Sequence, residues 1–375
     1  MRFTTFGPHI SSLDKKYVLE SIKQKNWYTK PYYFVEKFEK KFADYHNRKY
    51  ALMTTNCTAA IHLFLASLDL KKGDQIIAPE CTWIASVAPI LQTKAKLVLC
   101  DIEKDNWCLS LETIKKRITN KTKVIICVNI FGNMPEYKKI EKFCKSKNIY
   151  LLEDAAESLG SIYFGKKSGS FGNASVFSFH RTKTITTGEG GILLLNNKKI
   201  FNRCKILRDH GRGDKTRDFF NDEFAFKYMP FNMQAAIGYG QFMRINTLLK
   251  KKRDIYLNYK KILNKNIQLN VDNKFIQNGC WAVAITINKT KKNIIKMLKK
   301  ALIKKKYMAR PFFYPISMLP AYRKKFKDYA YYKKTNLNAY KIYKNSLVLP
   351  SSYLLKKRDI LKIGTIINKI YSKYI

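Results

Sequence analysis

The stretch that decides the fold is Ser175-Val-Phe-Ser-Phe-His-Arg-Thr-Lys183-Thr-Ile-Thr-Thr-Gly-Glu-Gly-Gly191. It is preceded, 29 residues before Lys183, by Leu-Leu-Glu-Asp154-Ala-Ala-Glu157. The first stretch predicts a strand, a glycine-rich turn that carries a primary amine, and a second strand. The second predicts an apolar strand that ends in a carboxylate.

This pairing of an amine with a carboxylate is what pyridoxal phosphate requires of a protein. The Lys183 amine would form a Schiff base with the cofactor aldehyde, and the Asp154 carboxylate would keep the pyridine nitrogen protonated. Lysine is abundant in this chain, so Lys183 is singled out by its surroundings and not by its residue type.

The order of the predicted elements favours an α/β fold with a mostly parallel central sheet and helices on both faces. Short apolar runs alternate with helical patterns through the first two-thirds of the chain. The predicted strands are 50–54, 75–78, 97–100, 124–130 and 149–152, and the predicted helices are 58–68, 85–91 and 136–146.

The remainder of the chain predicts a smaller α+β domain. A long helix over 232–263 would lead into it, followed by strands at 281–287 and 307–313 and helices at 291–304 and 360–370. We therefore expect a large domain at 1–245 and a small domain at 246–375.

Several polar residues fall where predicted strands end, which is where open α/β sheets bind ligands. Cys57 and Thr58 open a helix whose free N–H groups favour a phosphate, although taken alone this stretch is typical of an ordinary threonine cap. Trp83 follows the second strand, where an indole could stack on a flat cofactor or pack in the core.

Asp154, Glu157 and His180 have two interpretations each, and Ser178 has one. Asp154 would meet the cofactor nitrogen or cap a helix, and Glu157 would contact the ring hydroxyl or complete a capping box with it. Ser178 is a candidate for the phosphate. His180 would orient the site or pack as a strand histidine.

The net charge and the lengths of the apolar runs limit the class of protein. The net charge is +45, spread along predicted helices without a nucleic-acid reading motif, so we expect mainly solvated surface and no specific nucleic-acid partner. No apolar run is long enough to span a membrane, and the N-terminus has no secretory signal core, so a cytoplasmic protein is expected.

The eight cysteines lack any C-x-x-C pair, which favours reduced, buried thiols over disulfides or a metal site. They stand at positions 57, 81, 100, 108, 127, 144, 204 and 280.

The whole chain resembles fold-type I pyridoxal-phosphate enzymes, in particular the DegT-type nucleotide-sugar aminotransferases. The matching segments are 34–43, 153–157, 177–183, 188–191 and 232–238. The resemblance implies that Lys183 carries the cofactor and moves protons, that Asp154 pairs with the pyridine nitrogen, that Trp83 stacks on the ring, and that Cys57, Thr58 and Ser178 hold the phosphate.

The resemblance also implies partners and a substrate class. L-glutamate would be the amino donor and a nucleotide-linked 4-keto-6-deoxyhexose the acceptor, with the GDP-perosamine synthases as the most similar branch. Segment 309–322 would help to form the sugar-nucleotide pocket, with Arg310 contacting substrate. The family forms homodimers with active sites at the subunit interface, and Lys227 stands where many members place an asparagine that reaches the neighbour's phosphate.

Two other functions remain as alternatives. Sugar dehydratases on the same fold typically carry histidine at the position of Lys183, so this lysine argues against them. A polyanion-binding role is suggested only by the charge.

Overall fold

A computed structural model describes residues 6–213, 218–288 and 293–374. Its strands are β1 Tyr50–Thr54, β2 Gln75–Pro79, β3 Lys96–Cys100, β4 Thr122–Val128, β5 Tyr150–Asp154, β6 Ile162–Tyr163, β7 Lys166–Lys167, β8 Ala174–Ser178, β9 Gly191–Leu195, β10 Gln268–Leu269, β11 Ile276–Gln277, β12 Ala284–Thr286, β13 Arg310–Pro311 and β14 Ser346–Val348.

The helices are α1 Ser12–Ser21, α2 Gln24–Thr29, α3 Tyr33–Tyr45, α4 Cys57–Ala66, α5 Leu111–Lys115, α6 Tyr137–Ser146, α7 Lys198–Arg208, α8 Asn232–Phe242, α9 Ile245–Ile262, α10 Ile294–Lys304, α11 Pro320–Lys325, α12 Tyr329–Thr335, α13 Leu337–Asn345 and α14 Lys357–Tyr374. Among these described helices, none is long and apolar enough to cross a membrane.

The central sheet has the strand order β1-β9-β8-β5-β4-β2-β3. Strand β9 runs antiparallel to both of its neighbours, and the other six strands share one direction. Strands of such a sheet are covered on both faces and are therefore apolar along their length, as in β4, where five consecutive residues from Val124 are buried. The predicted mostly parallel sheet is confirmed.

Two predicted helices differ from the structure. The helix expected at 85–91 is replaced by two short 3-10 turns at 84–86 and 88–92, because Pro89 lacks the N–H that a continuous helix needs there. The helix expected over 232–263 is broken between α8 and α9. Arg244 leaves helical geometry at φ −120° and ψ 25°, and its guanidinium pairs with Asp14 of α1 at 2.5 Å.

The C-terminal part contains a second sheet, antiparallel throughout, in the order β10-β12-β14-β13. The predicted strands at 281–287 and 307–313 shorten to β12 and β13, and α14 extends the predicted last helix to Tyr374. Residues 291 and 292 of the predicted helix at 291–304 lie outside the described residues. A core cluster from Ile255 to Tyr371 fills this part, but other C-terminal side chains join the core of the central sheet, so the division at 245/246 stays a prediction.

A buried carboxylate ties the C-terminal part to the central sheet. Glu80, which follows β2, accepts hydrogen bonds from the Ser317 N–H at 2.8 Å, the Ser317 hydroxyl at 2.7 Å and the Asn336 side chain at 2.7 Å. Burial outweighs these donors and raises the pKa of Glu80 from 4.5 to about 7.

We predict that Glu80 makes stability depend on pH. The folded pKa is the higher one, so the folded state binds more protons between pH 4.5 and 7, and Glu80 loses its stabilising effect as pH rises through that window. Relative to Glu80→Gln, the wild-type free energy of unfolding should fall by about 3 kcal/mol across the window. Urea unfolding of both proteins at pH 4.5 and 8 measures this difference; a difference that does not change with pH would contradict it.

Candidate active site

A cavity of about 300 Å³ opens at the carboxyl edge of the central sheet. It is lined by Asn56, Cys57, Thr58, Ile61, Thr82, Trp83, Ala85, Ser86, Val128, Asp154, Ala156, Glu157, Ser178, His180, Thr182, Lys183, Glu189, Trp281, Arg310 and Phe313. Nine of the ten residues predicted from the sequence are among them, and only Lys227 is not.

Lys183 lies on the turn after β8, where its backbone N–H donates to the His180 carbonyl at 2.8 Å. Its amine is 3.4 Å from Glu157 Oε1 and 3.8 Å from the centre of the Trp281 ring. The amine is therefore held between a carboxylate and the face of an indole.

Asp154 ends β5 and is buried in the same crevice. One carboxylate oxygen accepts from the Ser86 hydroxyl at 2.7 Å and the other from the Ala156 N–H at 3.1 Å. Burial raises the pKa of Asp154, and Ser86, the Ala156 N–H and the charge of Lys183 oppose that rise. No helix begins after β5, so Asp154 is not a helix cap; the chain turns there instead.

Glu157 is buried as well. Its Oε2 accepts from the Phe131 N–H at 2.9 Å, while Oε1 faces Lys183. Burial raises the pKa of Glu157, and the charge of Lys183 is the largest effect that lowers it. The capping-box interpretation is wrong, because this carboxylate bonds to another loop and not to the backbone of Asp154.

One end of the cavity is built from the first turn of α4. The Asn56 side chain caps the helix by accepting the Ala59 N–H at 2.8 Å, so the N–H groups of Cys57 and Thr58 are donors that the helix itself cannot satisfy. Gly191 packs against this turn so closely that a Cβ there would lie 2.5 Å from the Cys57 nitrogen. Burial raises the pKa of the Cys57 thiol.

The mouth of the cavity carries the more exposed side chains. Trp83 is 60% exposed and its ring lies 6.2 Å from Phe313, so the interpretation of Trp83 as a core residue is wrong. The Arg310 guanidinium stands 5.1 Å over the Phe6 ring, and burial lowers its pKa.

His180 also lies at the mouth. Its Nδ1 is 2.9 Å from the Thr182 hydroxyl and its Nε2 is 3.6 Å from Glu189. Burial lowers the pKa of His180. It is half-exposed and lines the cavity, as the orienting interpretation requires, and is not packed within the sheet.

Lys227 lies away from this cavity, where its amine pairs with Asp209 Oδ1 at 2.6 Å. Its predicted contact with a neighbouring subunit's cofactor stays a prediction.

Eleven of the twenty lining residues were not predicted from the sequence, among them Asn56, Ser86, Glu189 and Trp281. Asn56 was detectable, because an asparagine before an apolar helix is a typical cap. Ser86, Glu189 and Trp281 reach the cavity through the tertiary fold, and Trp281 is 98 residues from Lys183 in the chain.

Comparison with known proteins places the chain in a family. The model of the DegT/DnrJ/EryC1/StrS aminotransferase family matches residues 9–368. The chain belongs to this family. Membership confirms the prediction of an aminotransferase that depends on pyridoxal phosphate.

Individual relatives include aminotransferases and a dehydratase. GDP-perosamine synthase of Escherichia coli O157:H7 is 34% identical over 367 residues, which cover 98% of each chain. GDP-4-keto-6-deoxy-D-mannose 3-dehydratase of Yersinia pseudotuberculosis is 27% identical over 74% of this chain and 76% of its own. A putative sugar aminotransferase of Streptococcus pneumoniae in its PLP form shares the fold, with a TM-score of 0.90 and 23% identity over 100% of this chain and 99% of its own.

The residues of this aminotransferase fit pyridoxal phosphate. The first turn of α4 offers unsatisfied N–H groups, and the Ser178 hydroxyl lines the same cavity. Gly191 can pack closely against that turn because it has no Cβ. The Asp154 carboxyl group is held by neutral donors and the charge of Lys183, and a protonated ring nitrogen would give its ionised form a second cationic partner.

We predict that Asp154→Asn stabilises the cofactor-free protein. The pKa of Asp154 is raised on folding, so its ionised form costs stability once the pH exceeds the unfolded value of about 3.9, and below that value the cost disappears. Thermal unfolding without cofactor should show a higher midpoint for Asp154→Asn at pH 8 and a much smaller gain at pH 4. The exposed Asp254→Asn is the matched control and should show no gain; a lower midpoint for Asp154→Asn at pH 8 would contradict the account.

Proposed function

We propose that the protein transfers an amino group from L-glutamate to C4 of a nucleotide-linked 4-keto-6-deoxyhexose. The acceptor proposed is GDP-4-keto-6-deoxy-D-mannose and the product GDP-perosamine, used for surface glycan (lipopolysaccharide O-antigen) biosynthesis. The observation that carries the proposal is the Lys183 amine beside Glu157 and Trp281, in the same cavity as the buried Asp154.

Six of the lining residues have a proposed role toward the cofactor. Cys57, Thr58 and Ser178 would bind the phosphate, Trp83 would cover the ring, Asp154 would pair with the ring nitrogen and Glu157 with the ring hydroxyl. When bound, pyridoxal phosphate supplies an electron-withdrawing ring that stabilises negative charge at the carbon next to the transferred nitrogen.

Lys183 is the proposed catalytic residue. In the first half-reaction its neutral amine takes the proton from Cα of L-glutamate, and in the second it delivers a proton to C4 of the sugar. Glu157 and Trp281 hold this amine in place. The Asp154 carboxylate would pair with the protonated ring nitrogen of the bound cofactor.

The substrate is proposed to enter over the exposed mouth, where Arg310 and His180 contact it. Arg310 supplies a fixed positive charge for the substrate's diphosphate. The same chemistry on a UDP- or dTDP-linked 4-keto-6-deoxyhexose is the alternative. A relative named as a dehydratase makes that activity a second candidate, and the Lys183 amine favours amino transfer over it.

A panel of nucleotide sugars tests the proposal. We predict that the enzyme, supplied with L-glutamate, aminates GDP-4-keto-6-deoxy-D-mannose with a kcat/KM at least about tenfold above that for the UDP and dTDP counterparts, because contacts to the preferred base act in the transition state. Mass spectrometry of the product sugars measures this. Lys183→Ala should lose turnover and remain folded. A deoxygenated product without added nitrogen would instead establish the dehydratase.

A homodimer with active sites at the subunit interface is part of the proposal. Phenylalanines near Lys227 stand in solvent: Phe219 is 99% exposed, Phe224 107% and Phe231 71%. Exposed aromatic side chains in one region are typical of a surface that a partner covers. A second chain seated there would bring Lys227 toward its neighbour's cofactor.

We predict a dimer of twice the 43.9 kDa chain mass in sedimentation equilibrium. The double substitution Phe224→Glu and Phe231→Glu should reduce the mass to that of one chain, because charges buried in an interface are not tolerated without partners. Leu361→Glu, at an exposed position of α14, is the control and should leave the dimer intact. Full dimer retention in the double variant would exclude this surface.

A further inference from the structure

The backbone on both sides of Lys183 is held by side chains from the C-terminal third of the chain. Trp281 Nε1 donates to the Thr182 carbonyl at 2.7 Å, and the Tyr353 hydroxyl donates to the Thr184 carbonyl at 2.8 Å. The two bonds fix the backbone carbonyls of the residues on either side of Lys183. We call these two side chains the aromatic clamp.

A fully buried lysine connects the two halves of the aromatic clamp. Lys252 of α9 donates to the Trp281 carbonyl at 3.2 Å and to the Ser351 carbonyl at 2.7 Å, and its amine lies 4.5 Å from the centre of the Tyr353 ring. One amine therefore holds the backbone at Trp281 and the segment that carries Tyr353.

Burying the Lys252 amine in this space costs the fold stability. Its side chain has no exposed surface, and burial lowers its pKa from 10.5 to about 7. A methionine has nearly the same length and flexibility and would fill the volume without the cost of desolvating a charge. What methionine lacks is the pair of N–H donors that fix Trp281 and Ser351.

The aromatic clamp contacts the Lys183 amine directly. The face of the Trp281 ring lies 3.8 Å from Lys183 Nζ, so a shift of the Trp281 backbone moves a surface that the amine touches. Displacements of about 1 Å around a reacting group can reduce a rate by roughly 10²-fold.

We propose that Lys252 is a positioning residue for Lys183, acting through the aromatic clamp of Trp281 and Tyr353. The inference rests on the proposed role of Lys183, to which it adds three residues outside the motifs that surround that lysine. None of the three is proposed to exchange protons with substrate.

Lys252→Met tests the proposal with two readouts. In the cofactor-free protein, hydrogen exchange of the peptide that contains residues 180–187 should accelerate at least about tenfold, since a segment that loses its tertiary hydrogen bonds opens more often. In the loaded enzyme, kcat should fall at least about tenfold while KM for the nucleotide sugar changes little, the pattern of a lost contribution to the chemical step alone.

Matched variants separate positioning from stability. Lys250→Met, at an exposed position on the same helix, should behave as the parent in both readouts. Trp281→Phe and Tyr353→Phe keep a ring in place and remove one donor each, and both should reproduce the Lys252→Met pattern without loss of folding.

The proposal is overturned if exchange of the 180–187 peptide is parental in Lys252→Met, or if exchange accelerates while kcat stays parental. Parental exchange in both Trp281→Phe and Tyr353→Phe would exclude the aromatic clamp as the connection and overturn it as well. If the parent enzyme transfers no amino group to any nucleotide sugar, the proposed function fails, and the exchange comparison still decides whether the aromatic clamp fixes this segment.

Discussion

Two carboxylates buried in one crevice are the constraint on which the rest of the structure depends. Asp154 and Glu157 both have pKa values raised by burial, and within the described cavity the amine of Lys183 lies against Glu157. Ser86 and the Ala156 N–H, both neutral, bond to Asp154. An anion in that position costs the fold stability, and a cationic ring nitrogen would offset the cost. The site is thus least stable when it lacks the group it is proposed to bind.

The C-terminal part completes the site from the opposite side. The central sheet places Asp154 and Ser178 at its carboxyl edge, and the chain beyond α9 supplies Trp281, Arg310 and Phe313. Buried hydrogen bonds from Glu80 to Ser317 and Asn336 hold the two parts in register. Such bonds have directional requirements that apolar packing lacks, so they fix relative position as well as contributing stability.

Local sequence was sufficient for the parts of the site whose geometry is local. A strand end followed by a turn places Asp154, and a helix start places Thr58, whatever the rest of the chain does. Trp281 could not be found in this way, because only the tertiary fold brings it to a lysine 98 residues away. The helix predicted over 85–91 was wrong for a local reason. The prediction followed the apolar pattern and gave too little weight to the N–H that Pro89 lacks. The break near Arg244 depends on Asp14, more than two hundred residues earlier.

Lys183 is proposed to carry the cofactor and to release it to an amino donor. The covalent link between a lysine amine and pyridoxal phosphate absorbs visible light, and its absorption reports the state of that lysine. The decisive measurement is the visible spectrum of the purified, cofactor-loaded protein before and after L-glutamate, and again after GDP-4-keto-6-deoxy-D-mannose. We expect a visible band that disappears with glutamate, returns with the keto sugar and is missing in Lys183→Ala. A band that persists in Lys183→Ala, or that glutamate leaves unchanged, would contradict the account.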